Sequence, residues 1–346
     1  APKPALIPRP PVIVKFRGQW NPVSYLILMW PALTPYNASW AQFPTSPMRG
    51  NKPFTDPHED RARVLCATST TLNGVTNFTI SDDLALALAA AANADLVSMN
   101  RFQALDLEVS TKPDSTPVTD ADKAVERIIR STIEASRPDD HLYGEEFGSS
   151  SNAEGAQPGR QWIIDPIDGT AGFSRGIPIW GTLIALAIDG VAVLGVVSAP
   201  ALGQRWWAGK NLGAWKRRKG QTQVESLAVS KVSGLSDATL SYNNLVGWIA
   251  EGRGEALTSL AHSVWRARAI GDFWSYMMVA EGTLDIAGEA DLAPYDMAAL
   301  VPIIEEAGGT FSSLDGLPGI WQGTALATNS VLHDEVVARV AKDSPA

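Results

Sequence analysis

Residues 81–102, "SDDLALALAAAANADLVSMNRF", are rich in alanine and leucine without a breaker. Ser81, Asp82 and Asp83 offer an N-terminus for a helix of several turns. In 119–136, "TDADKAVERIIRSTIEAS", Val125, Ile128, Ile129 and Ile133 recur at helical spacing with charge on the other face, which predicts a second helix. Strands follow: 161–165, then two over 182–200 joined by an Asp189-Gly190 hairpin turn, then 204–209, 225–230 and 238–242. The last third alternates: a helix near 252–262, a helix in the second part of 265–282, a strand at 283–288, one helix over 294–309, a strand at 324–328 and a closing helix at 329–341. Pro294 and the pair Gly308-Gly309 mark the start and stop of the penultimate helix. Paired helices and strands with antiparallel hairpins predict a layered α/β protein rather than a run of βαβ units.

Residues 1–79 break this pattern. Twelve of the 23 prolines fall in the first 57 residues and no acidic residue precedes Asp56, which predicts a Pro-rich, disordered extension ahead of a folded domain at 80–346. The formal charge of −9 speaks against nucleic acid as a partner and means that an anionic substrate must meet local positive charge. The basic run "WKRRKG" (215–220) reads as a solvated loop. With one cysteine, Cys66, an internal disulfide framework is excluded, and no apolar run is long enough to span a membrane. The expectation is a soluble, cytoplasmic protein.

Carboxylates gather beside chain-reversing residues at Asp120 and Asp122, at Glu145 and Glu146, at Asp165 and Asp168, and at Asp296. Each has a plain alternative: Asp120, Asp122 or Asp296 as a helix-start acid, Glu145-Glu146 as a solvated turn. "WIIDPIDGT" (162–170) is harder to explain that way. A strand ending in Asp-Pro and followed by Asp-Gly-Thr sends two carboxylates to its C-terminal edge, where open α/β sheets bind ligands. Gly169 permits close backbone approach, and the amides of Gly169 and Thr170 can face an anion. Oxygen donors suit a hard cation such as Mg2+, and scattered histidines do not suggest zinc. Together these parts point to metal-assisted phosphate-ester hydrolysis.

"GEEFG" (144–148), "WIIDPIDGT" and "PYDMAAL…EEAGG" (294–309), in that order, resemble the inositol monophosphatase superfamily over about 80–343. Within it, "LEVSTKPDSTPVTDADKAVE", "GVVSAPALGQRWWAG" and "RAIGDFWSY" are most similar to the bacterial histidinol-phosphate phosphatase branch. The resemblance implies an αβαβα sandwich of the inositol monophosphatase and fructose-1,6-bisphosphatase type, with two or three Mg2+ per site and Mn2+ as the alternative ion. It implies that Glu145, Asp165 and the Ile167 carbonyl bind a first ion, and that Asp165, Asp168 and Asp296 bind a second. Asp122 with Glu145 would help hold a third. A metal-activated water oriented by Glu145 and Thr170 would attack phosphorus, and the Gly169 and Thr170 amides would receive the phosphate. Glu289 aligns with the acidic residue that touches the rest of the substrate. Asp272 is either a second acidic contact to a cationic substrate or a cap on its own helix.

The implied reaction converts L-histidinol phosphate to L-histidinol and phosphate in histidine biosynthesis. The alternative is an inositol-1-phosphate or broad-specificity sugar-phosphate phosphatase. The partner is a small-molecule phosphate ester, with no nucleic acid and no membrane, and the family habit is a homodimer. The sequence departs from the family pattern at Ala171-Gly172, after "DGT", and at Tyr295, where the family carries Trp.

Overall fold

The computed structural model of the chain describes residues 78–113, 116–150 and 155–342. The expected extension over 1–79 lies outside the described residues except for Phe78 and Thr79. Helices α1 (Ile80–Arg101) and α2 (Asp120–Glu134) flank a short hairpin of β1 (Val109–Thr111) and β2 (Pro117–Thr119). Then come β3 (His141–Gly144), β4 (Gly148–Ser149), β5 (Arg160–Asp168), the short α3 (Thr170–Ser174), β6 (Gly181–Ile188), β7 (Val191–Ala199), β8 (Gln204–Gly209), β9 (Gly213–Arg218) and β10 (Glu225–Ser226). These strands form one sheet in the order β10-β9-β8-β7-β6-β5-β3-β4, with β3 and β5 parallel and the other pairs antiparallel. The remainder runs β11 (Thr239–Ser241), α4 (Leu245–Ala250), α5 (Gly254–Ser263), β12 (Arg266–Arg268), α6 (Asp272–Ala280), β13 (Ile286–Ala290), α7 (Pro294–Met297), α8 (Leu300–Glu306), β14 (Thr310–Ser312), β15 (Thr324–Thr328) and α9 (His333–Val340). Its strands build a second, mixed sheet in the order β12-β11-β13-β15-β14.

Side chains alternate across a strand, so each sheet feeds two cores. In β5, Trp162 and Ile164 pack with α1 and α2 through Ala87, Ala91, Val125 and Ile129. Ile163, between them, faces α6 and α8 with Phe273, Met277, Leu300 and Ile303, as do Ala325 and Ala327 of the second sheet. The outer face of that sheet, through Leu240, Ile286 and Leu326, packs Trp248, Leu257, Leu260 and Val336 of α4, α5 and α9. The layers are therefore helix, sheet, helix, sheet, helix, as the sequence suggested. Asp189 and Gly190 form the expected hairpin turn, both with positive φ (51° and 80°), the geometry of a two-residue primed turn.

Four local expectations change, one being the strand expected over 225–230, of which only β10 (Glu225–Ser226) forms. The N-cap of α1 is Thr79, not Ser81: Asp82 donates its backbone N–H to Thr79 Oγ1 and accepts from the Thr79 amide. That reciprocal box needs an acid three residues on, which Thr79 has in Asp82, whereas Ser81 would have Leu84. The helix expected over 294–309 is two, α7 and α8. Pro302 has no N–H for the Ala298 carbonyl, which leaves the ladder open at that break. The break also lies where Ala299 abuts Gly195 of β7: a Cβ on Gly195 would fall 2.1 Å from the Ala299 oxygen. Finally, 213–218 is strand β9 rather than a solvated loop, and Lys216 is buried with its ammonium 2.6 Å from Glu281.

Candidate active site

At the C-terminal end of β5 the ladder to β6 shifts: Asp165 pairs with Leu183 but Asp168 with Gly181, three residues against two. Such a bulge re-aims side chains at a sheet margin. Beyond it Gly169 adopts φ 88° and starts α3, a conformation that disfavours any residue with a side chain. Asp296 arrives from the opposite side at the start of α7, where its Oδ2 accepts the Ala293 amide at 2.7 Å. Carboxylate oxygens of Asp165, Asp168 and Asp296 lie within 4.8 Å of one another.

These three acids repel one another, Asp165 buried and Asp168 and Asp296 half-buried. Asp165 is 2% exposed, and its Oδ1 is buried without a hydrogen-bond partner among the described residues. Burial, then the charges of Glu145, Asp168 and Asp296, hold its carboxyl well above the usual range. Asp168 is raised likewise by burial and by Asp272 and Asp296, although its Oδ2 accepts the Phe273 amide at 2.6 Å. Burial pushes Asp296 up to about 7. An orphaned carboxylate oxygen inside an all-oxygen donor set fits a hard divalent cation.

Glu145 stands beside this group on the turn between β3 and β4. Its Oε1 is 2.6 Å from the Lys112 ammonium, which also reaches Glu146 at 2.6 Å. The turn is held from below by buried Glu126, which accepts the amides of Glu146 (2.7 Å) and Phe147 (3.3 Å). A Cβ on Gly144 would fall 2.0 Å from Glu126 Oε1 and displace the carboxylate that holds the turn.

Asp122 is fully buried and uses both oxygens. Oδ2 accepts the amide and hydroxyl of Thr119, closing the capping box of α2, while Oδ1 accepts the Thr170 hydroxyl at 2.9 Å. Asp122 therefore serves the first turn of α2 and contacts Thr170 at once. Thr170 Oγ1 is also 2.8 Å from the Ile167 carbonyl, so its single proton serves one acceptor at a time.

On the far side Asp272 begins α6 with φ 49° and makes no cap hydrogen bond; Asp168 takes the Phe273 amide instead. Asp272 Oδ2 sits against Gly169, 3.1 Å from where a Cβ would be. Glu289 of β13 accepts Asn243 Nδ2 at 2.7 Å, and burial lifts its carboxyl to about 8. Gly172 causes no conflict in α3, because its Cβ position meets the Ile179 oxygen and Ile177 only at ordinary contact, 3.4 and 3.6 Å.

The sequence reading missed Lys112, Asn243 and Tyr276. Tyr276 has its hydroxyl buried without a hydrogen-bond partner among the described residues, and burial and the nearby acids hold it well above its usual range. A lysine seven residues after an exposed leucine carries no local signal for a partner 33 residues on. Asn243 could have been noticed as an "NN" pair after a strand, a place where left-handed backbone is common.

The sequence profile of the inositol monophosphatase family matches residues 80–345. The chain belongs to the inositol monophosphatase family. It is 52% identical over 259 residues to the histidinol-phosphatase of Mycobacterium tuberculosis, covering 75% of this chain and 98% of that protein. It is 34% identical over 218 residues to the inositol-1-monophosphatase of Rhizobium meliloti, covering 61% and 77%. The solved inositol monophosphatase of Zymomonas mobilis superposes with a TM-score of 0.65 at 29% identity, covering 76% of this chain and 99% of its own. Among the described residues no helix is long and apolar enough to cross a membrane.

Proposed function

We propose that the chain is a Mg2+-dependent phosphomonoester hydrolase that releases phosphate from L-histidinol phosphate, as in histidine biosynthesis. The observation that carries the substrate is the pair Asp272 and Glu289 beside the carboxylate cluster. Burial opposes charge on both, and a cationic amine or imidazolium between them favours the ionised forms. The 52% identity to a protein named histidinol-phosphatase, against 34% to an inositol-1-monophosphatase, supports the same choice.

Asp165, Asp168 and Asp296, with Glu145 and the Ile167 carbonyl, would hold two Mg2+, and Asp122 with Glu145 would help with a third; Mn2+ fits the same oxygens. When bound, the ions lower the pKa of water and offset charge on the phosphoryl oxygens. Glu145 and Thr170 orient the attacking water. As the water attacks, Thr170 Oγ1 would take one of its protons while passing its own to Asp122 Oδ1, 2.9 Å away, and the leaving alkoxide would take a proton from solvent water. The amides of Gly169 and Thr170 receive the phosphate at the start of α3. The phosphatase domain would be 80–346, acting as a cytoplasmic homodimer.

Phosphate release from L-histidinol phosphate and from inositol 1-phosphate, measured side by side with and without Mg2+, tests the reading. We expect a preference for the histidinol ester and no turnover after chelation. A preference for the inositol ester would assign the chain to the broader sugar-phosphate activity instead. Elution at twice the monomer mass checks the dimer.

A further inference from the structure

The Glu289 carboxylate and the backbone of Asp272, both beside the metal cluster, are tied to one neutral side chain. Asn243 Nδ2 donates to Glu289 Oε2 at 2.7 Å and to the Asp272 carbonyl at 3.4 Å. The other end of the amide is equally fixed: Asn243 Oδ1 accepts the Ser241 hydroxyl at 2.9 Å, and Ser241 Oγ accepts the Ile270 amide at 3.1 Å. With the Ser241 proton committed to Oδ1, a flipped amide would place an oxygen against the Glu289 carboxylate, so the orientation is determined by its neighbours. Asn243 thus joins β11, β13 and the first residue of α6. Its own φ is 48° and that of Asp272 is 49°, two non-glycine residues in the left-handed region within one hydrogen-bonded unit. Strain of this sort persists only where surrounding contacts over-determine it.

We propose that Asn243 is a positioning residue for substrate selection, fixing Glu289 through one oxygen so that the other is presented to the cationic end of the substrate. The inference rests on the reading of Glu289 as a substrate contact. Asn243 Nδ2 donates to Glu289 and to the Asp272 backbone carbonyl, so it acts through Glu289 and the start of α6 without touching substrate. A freely rotating glutamate would lose rotamer entropy on binding, and the Asn243 bond removes that cost in advance. The effect falls on affinity for the cationic ester rather than on attack at phosphorus.

The test uses Asn243→Gly, which suits the left-handed backbone and removes the side chain with its amide, alongside Glu289→Gln. For each, kcat and KM are measured with L-histidinol phosphate and with glycerol 2-phosphate, which has no cationic group. We expect Asn243→Gly to raise KM for histidinol phosphate about tenfold, with kcat within about twofold, so that the ratio of kcat/KM between the two esters falls about tenfold. Glu289→Gln should lower the same ratio at least as far. If Asn243→Gly lowers both esters equally or changes neither, Asn243 has no selective role and the inference is overturned. If Glu289→Gln leaves the ratio intact, the cationic-contact reading fails, and the Asn243 inference falls with it.

Discussion

The molecule buries carboxylates in two ways. Behind the large sheet, Asp83 lies 2.9 Å from both Arg137 and Arg160, and Asp95 lies 2.6 Å from Arg205 and 2.8 Å from Ser198. At the end of β5, Asp165, Asp168 and Asp296 face one another with no basic side chain bonded to them among the described residues. In the first region the fold supplies the counter-charge; in the second it withholds it. Burying charge is costly in either case. The contrast teaches that an unneutralised acid cluster with built-in amide donors is a place kept for a cation that arrives from outside.

The largest effect should come from weakening the second region. Asp165→Asn keeps the shape and replaces one carboxylate oxygen of the proposed donor set; kcat/KM should fall at least about a thousandfold, matching a loss of several kcal/mol of charge stabilisation. Steady-state phosphate release at saturating Mg2+ reads it, and near-normal turnover would remove Asp165 from the metal set. In the first region, Arg205→Met strands Asp95 in the core. Urea unfolding should show a loss of about 3–5 kcal/mol, with kcat little changed in the fraction that stays folded. Thr170→Val removes the hydroxyl that joins Asp122 to the site and should lower kcat about a hundredfold without altering stability comparably.

A smaller effect separates the two regions by pH. Asp296 is raised from an ordinary 3.8 to about 7, so the metal-free folded state binds protons more tightly than the unfolded chain does. Its contribution to stability is complete below about 4 and is lost as pH rises through about 7. Metal-stripped Asp296→Asn should therefore gain melting temperature over wild type at pH 8 and show no gain at pH 4, and Mg2+ should reverse the order at pH 8. An equal offset at both pH values would refute the crowding of charge. The smallest change is remote from both regions: Thr79→Ala removes the α1 cap and should cost about 1 kcal/mol in thermal or urea unfolding.

Much of the second region could be read from the chain because it is local. "DPIDGT" contains strand end, turn, two acids and helix start within a few residues, and α2 carries its own capping box. What escaped depends on partners far along the chain. Lys216 in "WKRRKG" looks solvated until Glu281, 65 residues later, is seen beneath it. Lys112 meets Glu145 across 33 residues and Asn243 meets Glu289 across 46, and neither pairing leaves a periodic trace. The split of the penultimate helix was legible in principle, since Pro302 lies within it, but the terminal signals Pro294 and Gly308-Gly309 masked the break.

Gly195 has one more consequence. Its missing side chain lets the α7–α8 junction rest directly on β7, and α7 is what carries Asp296 toward Asp165 and Asp168. The width of the gap between the acids is therefore gauged by backbone touching backbone, a spacer with no adjustable parts. A single methyl group at this position would act as a wedge, opening the donor set from behind without altering any residue in it.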